Sequence, residues 1–187
     1  MQPELKIEGA CEDAANNVHA ACMYIVCGIL AGAFYFQFGL HEEPCPLCLL
    51  QRMAMLGLIA ALAFNMYFGI RKEHVALVLL SALVGISFST RQVLLHISPV
   101  PGEPTGYGTA FMGMHLYSWG VIVFFASMLC AALFLLLAED EARGRVRVPS
   151  VFERSAFYSA GFICLANVIA ACFECGIGPC CENGPCP

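Results

Sequence analysis

The stretch HEEPCPLCLLQRMAM, residues 41–55, interrupts a chain that is otherwise apolar for most of its length. It begins with a histidine, two acids and a proline and ends inside an apolar run that carries one cation, Arg52. Residues 18–40, just before it, contain no Asp, Glu, Lys or Arg. A helix needs roughly 20 mainly apolar residues to cross a bilayer, so the stretch reads as a short loop joining two spanning helices. Working outward, residues 47–70 contain only Arg52, residues 75–99 only Arg91, and residues 114–138 and 156–173 no charge at all. The last of these runs is the shortest. Of the 187 residues 12% are charged, about half the usual share of a soluble domain. The expectation is an all-α, polytopic membrane protein with five spans. Residues 1–17 read as a cytoplasmic N-terminal segment, 18–173 as one membrane domain, and 174–187 as a Cys-rich tail. The first 17 residues are polar and acidic, unlike a signal peptide.

Orientation follows from the basic residues, which accumulate in cytoplasmic loops. With the N-terminus inside, the inner segments hold Lys6, Arg71, Lys72, Arg143, Arg145, Arg147 and Arg154. The outer loops then hold no Lys or Arg. This predicts a cytoplasmic N-terminus and an external C-terminus, with residues 97–113, rich in Pro and Gly, as the main outer loop. The same map sorts the twelve cysteines. Cys11 is cytoplasmic, and Cys22, Cys27, Cys130 and Cys164 lie within spans, where thiols serve as small hydrophobes. Cys45, Cys48, Cys172, Cys175, Cys180, Cys181 and Cys186 fall at or beyond the outer face, the side on which disulfides persist.

Pro44 and Pro46 bracket Cys45, and Pro is favoured at the first position of a helix. Cys45 is therefore expected near an N-cap and Cys48 within the first turn, where the helix dipole and unpaired N–H groups favour thiolate over thiol. Arg52 follows Cys48 by four residues, so Cys45, Cys48 and Arg52 share one helix face. An arginine inside a span is costly and points to function. The alternative is a structural disulfide with an arginine that extends to the headgroups.

The segment PCPLCLLQR, residues 44–52, resembles the first periplasmic Cys-x-x-Cys and following arginine of the bacterial disulfide bond formation protein B (DsbB) family. RQ (Arg91–Gln92), GYG (residues 106–108) and GMHLYSW (residues 113–119) are similar to further segments of such sequences, and the likeness covers roughly residues 18–138. It implies a four-helix membrane bundle in a bacterial inner membrane, here with a fifth C-terminal spanning helix. It also implies a quinone-dependent dithiol oxidase: electrons from a periplasmic thioredoxin-like oxidase of the DsbA type reach Cys45–Cys48 and pass to ubiquinone or menaquinone. In that scheme Cys45 exchanges with a second cysteine pair, Cys48 faces the quinone, and Arg52 contacts it. Arg91 and Gln92, about two turns below the outer face, are further candidates for hydrogen bonding a quinone carbonyl, or else a loop carbonyl.

Well-studied members of the family carry a second cysteine pair in the large outer loop, yet residues 91–120 contain no cysteine. The fifth span delivers the tail ECGIGPCCENGPCP, residues 174–187, to the same outer face. Cys175 and Cys180 are the candidate shuttle pair. The tail has five cysteines counted from Cys172, and with Cys45 and Cys48 seven, so one is left over. Vicinal Cys180 and Cys181 do not bridge each other without strain, so one of them could pair with Cys186, and the tail's connectivity stays open. A static disulfide staple and a soft-metal (copper or zinc) site on the tail remain as alternatives, the latter making the chain a metal-handling membrane protein. His96 and His115 flank the outer loop, placed for proton transfer or for simple interfacial hydrogen bonding. The aromatics of residues 33–38 face lipid or core or line a ring-shaped ligand. No phosphate loop, catalytic carboxylate pair or basic nucleic-acid patch is present, so nucleic acid is not an expected partner.

Overall fold

The computed structural model describes residues 3–42, 44–98, 108–137, 149–176, 180–181 and 184–185. Among them five helices are long and apolar enough to cross a membrane, as expected: within Asp13–Gly39, Pro46–Phe68, Lys72–Ile97, Leu116–Leu136 and Val151–Cys175. The protein is a helical, multi-pass membrane protein. Helix α1, Pro3–Phe34, starts well before the apolar run, inside the segment read as a separate N-terminal piece. It continues into a π-helical turn, Tyr35–Gly39, and His41 closes it with a left-handed backbone (φ 55).

Pro46 at the first position and Cys45 as cap start α2, Pro46–Phe68, as the sequence required. Helix α3 covers Lys72–Ile97 and α4 covers Leu116–Leu137. A two-residue hairpin, β1 (Ala110–Phe111) with β2 (Met114–His115), leads into α4, fastened where Trp119 Nε1 donates to the Phe111 carbonyl at 3.0 Å. Helix α5, Val151–Cys175, begins earlier than the shortest apolar run suggested. The reason is local: Ser150 caps it, its Oγ accepting from Glu153 N at 3.2 Å, an S-x-x-E start signal. Gly176, at φ 64, ends it, its N–H donating to the Cys172 carbonyl at 3.0 Å. In the tail, β3 (Cys180–Cys181) pairs antiparallel with β4 (Gly184–Pro185).

Helix α2 packs between α1 and α3, α3 packs on α4, and α5 lies against α1. His19 of α1 meets Phe134 of α4 edge-on at 5.8 Å, linking the first and fourth helices. Ala20, Met23, Leu30, Leu58, Ala82 and Phe124 are almost wholly enclosed at the centre. Gly85 permits the α3–α4 approach, because a Cβ there would lie 2.3 Å from the Phe124 ring. Outward, Leu80, Phe125, Leu136, Phe162 and Phe173 are exposed, the surface expected of helices solvated by lipid rather than water. Helix α5 is tied to α1 at both ends. Tyr24 Oη donates to Ser155 Oγ at 2.6 Å, and Gln37 Nε2 donates to Glu174 Oε1 at 2.7 Å.

Candidate functional site

The loop between α1 and α2 is too short to leave the bundle, so the first turn of α2 begins against α3. That places both thiols of the Cys-x-x-Cys segment at the α2–α3 seam. Cys45 is buried and Cys48 half-buried, and both are free thiols. Cys48 N donates to Cys45 Sγ at 3.2 Å, so the sulfur itself caps the helix. Gln92 of α3, only 1% exposed, donates from Nε2 to both sulfurs, at 3.2 Å to Cys45 and 3.3 Å to Cys48. Gln51 Nε2 donates to Gln92 Oε1 at 2.6 Å. This contact orients the amide: with its oxygen taken by Gln51, Gln92 presents its NH2 to the sulfurs.

Sequence position alone predicts a helix start that favours thiolate. The structure corrects this for Cys45, whose thiol is pushed above its ordinary range, first by its side-chain hydrogen bond with Cys48 and then by burial. Two neighbouring sulfurs do not both carry charge easily, and Cys45 is the one that keeps its proton.

Arg52, one turn below Cys48, is buried. It donates from Nη1 to Gln37 Oε1 at 2.6 Å and from Nη2 to the Ala33 carbonyl at 3.1 Å, and its Cζ lies 5.1 Å from the centre of the Phe34 ring. Phe34 in turn stacks with Phe38, centroids 5.9 Å apart at 15°. A guanidinium has five N–H donors in a fixed fork, and these bonds occupy one on each Nη. The remaining donors, the stacked ring pair and the exposed Phe38, Leu50 and Met53 fit a flat apolar ligand with carbonyl acceptors, as a quinone is. Gln37 reaches Arg52 because the π-helical turn rotates it inward, leaving it 6% exposed. Such π-turns often occur at functional sites.

The structure thus brings together Cys45, Cys48, Arg52 and Gln92. It does not bring Arg91 to them: Arg91 is exposed while its neighbour Gln92 points inward. Cys175 ends α5 and is disulfide-bonded. The side chains of Cys180 and Cys181 lie outside what is described, and Cys186 lies outside the described residues altogether. Cys172 is a free, exposed thiol. The described residues hold no group of three or more His, Cys, Asp or Glu side chains suited to a metal ion. His96 and His115 do meet, ring centroids 4.9 Å apart, and His115 stacks on Tyr117 at 5.2 Å and 5°.

Four contributors escape sequence reasoning: Gln37, Gln51, Glu42 and Glu174. Glu42 holds the start of the β1–β2 hairpin, its Oε1 accepting from Thr109 N at 3.0 Å and from Thr109 Oγ1 at 2.6 Å. This explains the second glycine of GYG: Gly108 has φ +75, and a Cβ there would lie 2.7 Å from Glu42 Oε2. The glutamines did leave a signal. Beyond residue 2 the chain has three, Gln37, Gln51 and Gln92; all lie in spans, and all converge here.

Comparisons with known proteins point the same way. The family model described as disulfide bond formation protein DsbB matches residues 15–134. A disulfide bond formation protein B of Methylococcus capsulatus is 41% identical over 90 residues, 45% of this chain and 54% of that protein. One from Xanthomonas campestris pv. campestris (strain 8004) is 39% identical over 101 residues, covering 48% and 59%. One from Haemophilus influenzae (strain 86-028NP) is 40% identical over 73 residues, covering 37% and 41%. The chain spans about half the length of these curated relatives.

Proposed function

The chain belongs to the DsbB family, and from that premise we propose that it is a quinone-dependent protein dithiol oxidase of a bacterial inner membrane, with its N-terminus cytoplasmic and its C-terminus periplasmic. It takes electrons from a periplasmic thioredoxin-like partner of the DsbA type and delivers them to ubiquinone or menaquinone. One observation carries this reading: two free thiols at a helix start share the Gln92 amide, with the buried Arg52 one turn below.

In the oxidised protein Cys45 and Cys48 form a disulfide. A thiolate from the second pair, for which Cys175 and Cys180 are the candidates, attacks Cys45 Sγ and forms a mixed disulfide. Cys48 leaves as the thiolate, held by the Gln92 N–H and the nearby Arg52 charge. The second thiol of the attacking pair then displaces Cys45, which takes up a proton. Two electrons now reside on Cys45 and Cys48. Cys45 is buried in the reduced arrangement, so exchange at it requires displacement of the segments that cover it. A bound quinone supplies a two-electron, two-proton acceptor within the bilayer. Arg52 would direct its spare N–H groups at a quinone carbonyl, with Phe34 and Phe38 flanking the ring. The tail pair, once oxidised, is re-reduced by the soluble partner.

Anaerobic quinone reduction by purified protein with a reduced thioredoxin-like donor tests the proposal. Wild type runs beside Cys48→Ala and a truncation before Cys175. Loss of turnover in both variants supports the oxidase with its second pair in the tail. Turnover retained by the truncation means that the partner reaches Cys45 directly. A wild type that is inactive with all donors and quinones, and binds about one soft-metal ion per chain through the tail, replaces the proposal with the metal-handling reading.

A further inference from the structure

Helix α5 lies outside the residues that match the family, 15–134, yet it contributes to the site. Its penultimate residue, Glu174, accepts from Gln37 Nε2 at 2.7 Å, and Gln37 Oε1 accepts from Arg52 Nη1 at 2.6 Å. We infer that α5 is a positioning element for Arg52, acting through Glu174 and Gln37, so that the quinone-facing guanidinium and the root of the cysteine tail are held by one chain of hydrogen bonds. This rests on the reading of Arg52 as a quinone contact.

Amide polarity supplies the physical reason. A glutamine side chain has one accepting end and one donating end. Arg52 only donates, so it needs the oxygen of Gln37. Glu174 accepts, and by taking the NH2 it turns that oxygen toward Arg52. Without Glu174 the amide is free to rotate, and its NH2 can then face the guanidinium, donor against donor. Two further contacts of Arg52, with the Ala33 carbonyl and the Phe34 face, do not fix the outer edge of the fork. Gln37 is 6% exposed, so water is a poor substitute for a missing partner.

The arrangement also has a mechanical side. Glu174 immediately precedes the disulfide-bonded Cys175. A displacement of the tail's root therefore pulls on the residue that aims Arg52, and events at the tail and at the quinone contact are coupled through two side chains. Glu174 and Gln37 are positioning residues, since neither needs to touch the reacting sulfurs.

The test is binding, measured by titration calorimetry of a short-chain ubiquinone into the purified full-length protein in detergent, with the quinone KM determined in parallel. Glu174→Ala is expected to weaken the quinone Kd about fivefold, the scale of one lost hydrogen bond. Glu174→Gln keeps a carbonyl acceptor but removes the carboxylate charge that faces Arg52, so it should fall between wild type and Glu174→Ala. Gln37→Leu should be at least as weak as Glu174→Ala, and the double variant no weaker than Gln37→Leu alone, because the two residues act in series. kcat at saturating quinone should move less than KM. An unchanged Kd in Glu174→Ala, or independent additive losses, overturns the inference while leaving the oxidase reading intact. So does a Glu174→Gln that behaves like alanine. If alanine at 174 prevents folding, Gln37→Leu against Glu174→Gln decides by the same criteria. No quinone binding by wild type overturns this inference together with the proposed function.

Discussion

The N-terminal end of α2 and the C-terminal end of α3 each carry one arginine inside an apolar run, and the two have opposite fates. Arg52 is buried, bonded to Gln37 and Ala33 and set over Phe34. Arg91 is exposed, and the adjacent Gln92 is enclosed in its stead. Both positions cost free energy in a bilayer unless the charge meets a partner or reaches the interface. Arg52 meets partners, whereas Arg91 near the C-terminal end of its helix can extend toward the headgroups. The difference is one of helix phase. One residue of rotation, about 100°, separates a side chain at the α2–α3 seam from one facing outward, so an arginine counts as a site residue only once its face is known.

The largest expected effect comes from Arg52 itself. Arg52→Ala should lower kcat/KM for quinone about 10- to 100-fold, the scale of hydrogen bonds from a charged donor. Cys45 and Cys48 should still form their disulfide. Arg52→Lys should recover little, because an ammonium cannot reproduce a planar fork that spans Gln37, a backbone carbonyl and a ligand. Steady-state kinetics with alkylation mapping of the thiols measures both halves. An unchanged quinone KM in Arg52→Ala would erase the contrast between the two arginines.

Gln92→Leu comes next. Its NH2 touches both sulfurs in the reduced pair, so it stabilises the reduced form and raises the reduction potential. Removing it should lower the potential by about 30 mV, corresponding to roughly 1.4 kcal/mol for a two-electron couple. Glutathione equilibration followed by thiol labelling reads this directly. A potential that rises instead would mean that Gln92 favours the disulfide, contrary to the bonds described.

How far the sequence anticipates this site depends on how local each relation is. Cys45, Cys48 and Arg52 lie within eight residues on one helix, and Pro46 fixes where that helix starts, so their common face follows from spacing. The five spans follow from length and charge alone, although α5 starts before its apolar run because its first turn, SVFE at residues 150–153, is capped rather than apolar. Phase is what the sequence withholds. In α3 the lipid-facing and core-facing residues are both largely apolar, so the contrast is faint, although Gln92 continues the 3/4-spaced stripe of Ala82, Gly85 and Ser89 and Arg91 does not. Gln37 and Glu174 are 137 residues apart, and their contact depends on the α1–α5 packing and on a π-turn that no simple periodicity announces. The polarity of Gln37, Gln51 and Gln92 within otherwise apolar helices was the available clue.

A smaller effect concerns which sulfur keeps its proton. The Cys45 thiol is held above its ordinary range by the hydrogen bond with Cys48 and by burial. A raised value means little thiolate at neutral pH and a reactive fraction that grows as pH climbs. In the reduced protein, iodoacetamide should therefore modify Cys45 slowly at pH 7, with a rate still increasing above pH 9. Fragment-resolved mass spectrometry across a pH series measures it, and a Cys45 rate that levels off below pH 8 would contradict the retention of the proton on Cys45.

The smallest effect, and the sharpest check on the comparison, is that of Arg91→Gln. An exposed cation near the membrane surface contributes little to a site whose donors are supplied by Gln92, Gln51 and Arg52. Its removal should leave quinone KM and the Cys45–Cys48 potential within about twofold and a few mV of wild type, against tens of mV for its neighbour. Any effect should appear in membrane insertion or in thermal midpoint, where the charge anchors the C-terminal end of α3. If Arg91→Gln instead costs as much as Arg52→Ala, the C-terminal end of α3 must rotate in the working cycle to bring position 91 inward. Gln92 would then leave the sulfurs in the same movement, because adjacent residues on one helix cannot both face the seam. The pair of variants at 91 and 92 thus tests whether α3 keeps a single phase throughout turnover.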